Sequence, residues 1–104
     1  MQIEILYFPG CPNHEPAVRR VREVVAREGL DAEIREVNVM DERTGEQLGF
    51  LGSPTIRVNG LDIEPTACGA KFAGLACRRY PGGLPSEEMI RTALHEALAT
   101  RGRA

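Results

Sequence analysis

The run Tyr7-Phe8-Pro9-Gly10-Cys11-Pro12-Asn13-His14 joins an alternating apolar stretch to a helical pattern, with a cysteine at the junction. A cysteine at a helix start meets unpaired backbone N–H groups and the positive end of the helix dipole, which favour a thiolate over a thiol. Such a sulfur is a nucleophile for disulfides and a soft metal ligand. His14, one helical turn on, is spaced to pair with that thiolate as an imidazolium or to take its proton as a neutral base. It serves equally well as a solvated polar residue or cap at the helix start. The remaining cysteines, Cys68 and Cys77, are read as a loop disulfide, as alternative resolving thiols for Cys11, or as plain loop residues. An odd number of cysteines leaves at least one thiol free, paired in trans or bound to a metal. Cys11, His14, Cys68 and Cys77 have the types of a zinc site, but their spacing matches no compact zinc motif. A Cys11/Cys77 pair would suit a two-coordinate soft ion such as mercury or Cu(I).

The elements that must position Cys11 are legible on either side of it. Ile3, Ile5 and Tyr7 alternate with Leu6 and Phe8, the pattern of a central strand buried on both faces. Pro9-Gly10 ends it. From about Asn13 to Glu28, Val18, Val21, Val24 and Val25 fall at helical spacing, Pro16 suits the first turn, and Gly29 suits the end. The helix is then capped at Asn13 or His14 rather than at Cys11. Ala32, Ile34, Val37 and Val39 mark a second strand, parallel to the first, whose alternation slips near Glu36 and predicts a bulge or an end there. Asp41 caps a short helix through Leu48 to about Leu51. Asn59-Gly60 between Ile56/Val58 and Leu61/Ile63 predicts an antiparallel hairpin at one edge of the sheet. Residues 64–85 show no sustained period and form a long connection that carries both Cys68 and Cys77, with a turn of helix around Lys71 to Ala76. Ser86 caps a last helix with the apolar stripe Ile90, Ala93, Leu94, Ala97 and Leu98, and the tail from Thr100 is expected to fray.

The chain has 104 residues, enough for a single domain (1–104) with its own core. A net charge of -2 gives no basic field for nucleic acid or an acidic membrane surface, so neither is expected as a partner. Arg19, Arg20, Arg22, Arg27, Arg78 and Arg79 read as solvated faces, although Arg78 and Arg79, next to Cys77, are placed to steer an anionic thiol substrate. His95 reads as surface. Without a basic region followed by a long apolar run at the N-terminus, the chain is expected to be cytoplasmic.

The order strand, helix, strand, helix, hairpin, helix, with Cys11 after the first strand and Ser53-Pro54-Thr55 before the third, resembles the thioredoxin superfamily over nearly the whole chain apart from 64–85. Gly10-Cys11-Pro12-Asn13, Leu48-Gly49-Phe50, Gly52-Ser53-Pro54-Thr55-Ile56 and Cys77-Arg78-Arg79-Tyr80 are similar to a group of small bacterial thioredoxin-like proteins, some of them labelled alkylmercury lyase-like. The resemblance implies an α/β fold, a four-stranded mixed sheet flanked by helices in the order βαβαββα. It implies that Cys11 is the exposed first cysteine of a redox motif and that Pro54 is a cis-proline facing it, leaving the Ser53 backbone free to pair with an extended substrate. His14 stands where the family has its second cysteine, so no local disulfide can close. The resolving thiol is then Cys77 or Cys68, or an external thiol. Cys77 is favoured because it lies in a segment that shares the resemblance. The expected function is thiol–disulfide exchange through Cys11, tuned by His14, with Pro12, Ser53, Pro54 and Thr55 shaping the substrate groove and no cofactor. The partner would be a protein or small-molecule thiol or disulfide. The alternatives are binding of a soft metal ion or handling of an organomercurial, and a non-catalytic binding scaffold. Carbon–mercury cleavage would need a positioned acid, a role that nothing in the sequence assigns to Asp62 or Glu64.

Overall fold

A computed structural model describes residues 1–64, 74, 78, 80 and 83–101. Its elements run β1 (Gln2–Tyr7), α1 (His14–Arg27), β2 (Glu33–Asn38), α2 (Glu42–Leu48), β3 (Thr55–Val58), β4 (Leu61–Asp62) and α3 (Glu87–Arg101). The strands form one sheet in the order β2-β1-β3-β4, with β1–β2 parallel and the other two pairings antiparallel. This is the mixed four-stranded α/β architecture expected from the sequence.

β1 is central and buried on both faces, as its double alternation requires. Ile3 and Ile5, with Ile56 and Val58 of β3, pack against Ala17, Val18, Val21, Val24 and Val25 of α1 and Ile90 and Leu94 of α3. Each valine of α1 so covered contributes roughly 1.5–3 kcal/mol. Leu6 points the other way, into a smaller cluster with Val39 and Phe50, flanked by Phe8 and Val37. A charge at Val21, which is fully buried, would separate α1 from the sheet.

The slip in the second strand has a different cause from the bulge it suggested. β2 pairs with β1 without interruption from Gln2↔Glu33 to Tyr7↔Asn38. Ile34 packs on the helix side of the sheet and Val37 on the opposite side, so the odd spacing is one apolar contact for each face. The short helix stops at Leu48 rather than Leu51. Asp41 caps its start by accepting the Thr44 N–H at 2.7 Å, and Gly49 ends it in the left-handed conformation at φ 66°. Asn59 (φ 51°) and Gly60 (φ 85°) make the turn between β3 and β4 that the Asn-Gly pair predicted. Ser86 Oγ accepts the Met89 N–H at 3.0 Å and starts α3. That helix continues through Arg101, beyond the fraying point expected at Thr100, and Leu98 lies on its exposed side rather than in the stripe. The predicted helical turn around 71–76 lies outside the described residues.

Candidate functional site

β1 delivers the chain to the site and α1 carries it away, with Pro9 to Asn13 between them. Two tight turns make this connection: the Cys11 N–H donates to Phe8 O and the His14 N–H donates to Cys11 O, each at 3.3 Å. Asn13 occupies the N-cap position, without a side-chain cap hydrogen bond. Cys11 therefore stands before the helix rather than in its first turn, as the position of Pro16 foretold. Its exposure corrects the resemblance-based expectation: Cys11 is buried, at 8% of its accessible surface, while Pro12 beside it is exposed.

Across from Cys11 lies the connection between α2 and β3. The Ser53–Pro54 peptide bond is cis, and Ser53, Pro54 and Thr55 are all buried. The Thr55 hydroxyl donates to Gly52 O at 2.6 Å and accepts the Leu51 N–H at 3.2 Å, closing the loop from Leu51 to Thr55 on itself. Thr55 thus shapes the loop from inside. The Cys11 Sγ lies 3.7 Å from Ser53 O, with the thiol as donor. The Ser53 hydroxyl is itself buried with no hydrogen-bond partner among the described residues.

The Ser53 backbone is not free, contrary to what the resemblance implied. Its carbonyl also accepts the Arg78 N–H at 2.9 Å. Gly52 permits this approach: a Cβ there would lie 2.8 Å from the Arg78 Cβ and 3.0 Å from its backbone nitrogen. Tyr80 adds a hydrogen bond from its hydroxyl to Pro54 O at 2.8 Å.

Arg78 corrects a second expectation. Instead of a solvated or substrate-steering residue it is buried, and its guanidinium grips Asp62 through two hydrogen bonds of 2.6 and 2.8 Å. A third, of 2.9 Å, reaches Glu64, and the group lies 4.5 Å from the centre of the Tyr80 ring. Burial disfavours the charge on Arg78, but the hydrogen bonds to Asp62 and then the remaining partners overrule it and hold its pKa above the ordinary arginine value. Burial likewise pushes the Tyr80 hydroxyl up, and the charge of Arg78 only partly opposes that shift. Asp62 and Glu64, to which the sequence assigned no proton-donor role, are the acids of this ion cluster.

His14 reaches in another direction from the one expected. Its ring stacks on Tyr7, with centroids 3.6 Å apart and planes 5° from parallel, and its Nε2 lies 2.6 Å from Glu36 Oε1. Only its backbone N–H is bonded to Cys11. The side chain fastens the start of α1 to the ends of β1 and β2. His95 is at the surface as expected, paired with Glu28. Cys68, Cys77 and Arg79 lie outside the described residues, and no group of three or more metal-ligating side chains occurs among the described residues. No helix there is long and apolar enough to cross a membrane. The Arg78 contact escaped sequence reasoning because nothing local marks a carbonyl for a donor so far along the chain. The motif shared around 77–80 was the one available signal.

Residues 1–62 match the family model described as a thioredoxin domain. The chain is also 42% identical over 66 residues to a protein of Methanocaldococcus jannaschii named "Thioredoxin", across 62% of this chain and 75% of that protein.

Proposed function

The chain belongs to the thioredoxin family, and from that premise we propose that it is a thiol–disulfide exchange protein in which Cys11 is the attacking thiol. The observation that carries this reading is the placement of the Cys11 sulfur at Ser53 O, in the loop that leads into β3. In the first step the Cys11 sulfur bonds to one sulfur of a substrate disulfide. The second sulfur departs as a thiolate and takes a proton from water. In the second step another thiol attacks the Cys11 sulfur and releases the remaining substrate sulfur as a thiol. With an intramolecular thiol, the protein ends as a disulfide, the substrate has gained two electrons, and an external dithiol restores the protein.

Cys77 is the proposed resolving thiol, with Cys68 or an external thiol as the alternative. Support comes from its neighbour: the Arg78 N–H, joined directly to the Cys77 carbonyl carbon, shares its acceptor oxygen with the Cys11 thiol. In this reading Pro12, exposed beside Cys11, and Ser53, whose carbonyl accepts the Cys11 thiol, border the substrate groove together with Pro54. His14, stacked on Tyr7 and tied to Glu36, acts by fixing the turn that carries Cys11.

Two measurements test this. Turnover of 2-hydroxyethyl disulfide with dithiothreitol as reductant should disappear in Cys11→Ser. Mild oxidation followed by peptide mapping should give a Cys11–Cys77 link. A map that contains only Cys68–Cys77, with Cys11 free and turnover retained in Cys11→Ser, would refute the assignment.

A further inference from the structure

We propose that the segment at Arg78 is an internal competitor for the Ser53 edge, occupying the backbone acceptor that an extended partner chain would use and leaving it only when displaced. The inference rests on the reading of Cys11 given above and concerns which partners reach it.

Recognition of an extended peptide at a strand edge works through main-chain hydrogen bonds. The Arg78 N–H already makes such a bond to Ser53 O, at 2.9 Å. The same short stretch returns to this loop through the Tyr80 hydroxyl on Pro54 O, and Gly52 leaves it no gap. The side chain of Arg78 then clamps the segment to Asp62 at the end of β4 and to Glu64. Backbone, hydroxyl and ion cluster thus hold Arg78 and Tyr80 to one loop, and Cys11, whose thiol donates to the same Ser53 oxygen, is buried.

A tethered occupant competes at a high effective concentration, which an incoming chain must overcome. A small disulfide needs only to reach the sulfur, whereas a disulfide within an extended peptide also needs the Ser53 carbonyl. Docking should therefore slow exchange with the peptide more than exchange with the small molecule. The chemistry is the first step already described: the Cys11 sulfur joins one peptide sulfur, and the other leaves as a thiolate that water protonates.

The test compares 2-hydroxyethyl disulfide with a two-chain unstructured peptide joined by one disulfide, in the unaltered protein, Tyr80→Phe and Arg78→Ala. Amide hydrogen exchange at position 78 reports docking independently. Loss of the Tyr80 hydrogen bond should raise the peptide rate about fivefold. Loss of the buried guanidinium should raise it by on the order of tenfold or more. The small-disulfide rate should rise less in both variants, and exchange at position 78 should quicken in the same order. Should Arg78→Ala fail to fold, Tyr80→Phe decides. Faster amide exchange without a gain for the peptide, or an equal gain for both disulfides, would overturn the inference. Small-disulfide exchange that does not depend on Cys11 in the unaltered protein would instead remove the reading of Cys11 on which it rests.

Discussion

Substituting Asp62 by alanine should be among the costliest single changes outside the apolar core. The side chains of Arg78 and Asp62 are 7% and 6% exposed, so solvent screens their pairing little. Arg78 keeps its proton against burial chiefly because of the hydrogen bonds to Asp62. Removing the carboxylate therefore orphans a buried charge, an effect worth about 3–5 kcal/mol. Glu64 remains on Nη2, and its side chain is 25% exposed, which sets the expectation at the lower end, about 3 kcal/mol. A domain of this size has roughly 5–15 kcal/mol of stability in total. The melting temperature should then fall by on the order of 12 °C or more. Urea and thermal unfolding followed by circular dichroism give the loss directly. If the segment detaches before the rest unfolds, the loss appears instead as faster amide exchange at Arg78. The double variant Asp62→Leu/Arg78→Met, which removes both charges, should recover most of the stability. An Asp62→Ala loss below about 1 kcal/mol, the range of solvated pairs, with amide exchange unchanged, would refute a buried cluster holding the segment in place.

Four further outcomes follow from particular contacts. Ser53→Ala removes a buried hydroxyl that has no partner among the described residues, so thermal unfolding should show a neutral to stabilising change; a clear loss would mean that the hydroxyl is bonded in solution. Gly52→Ala would thrust a Cβ against Arg78 at a backbone φ of 110°, and should release the Arg78 amide to faster exchange as well as lower the melting temperature. The carboxyls of Asp41 and Glu87 are held below their ordinary values of 3.8 and 4.5, by the Thr44 backbone N–H and by Arg27. Their contributions are complete above those values and drain away as pH falls through the folded-state pKa, which an acid unfolding series on Asp41→Ala and Glu87→Gln should show as a reduced loss. The Tyr80 hydroxyl is shifted the other way, by burial, so its contribution is complete below about pH 10 and lost only at still higher pH. An absorbance titration of Tyr80→Phe against the parent checks this.

Much of the scaffold was legible because its signals are local. β1 reads as central from its two interleaved apolar faces, α1 from its valines, and the β3–β4 turn from Asn59-Gly60, whose backbone angles ask for those residue types. The slip near Glu36 was visible but misread, because one strand with an apolar contact on each face looks the same in sequence as an interrupted one. Position was legible for Cys11, but burial was not. The partner of the buried thiol is Ser53, far along the chain, and no period connects the two.

The same reasoning explains why the ion cluster and the contacts of His14 were hidden. An arginine read alone belongs in water, since burying an unpaired guanidinium costs far more than a surface position. Only the combination of Asp62, Glu64 and Tyr80 around Arg78 reverses that preference, and each of those residues also reads as ordinary surface or turn chemistry. His14 illustrates the converse. Its spacing from Cys11 suggested a catalytic pair, but the parallel register places Asn38 beside Tyr7, so Glu36 two residues earlier lies on the adjoining strand. The Tyr7 ring and the Glu36 carboxylate together outcompete a sulfur that already has the Ser53 carbonyl as its partner. Pairing at this site follows from which elements adjoin rather than from which residues are near in sequence: the Cys11 thiol and the Arg78 N–H meet at one oxygen, that of Ser53.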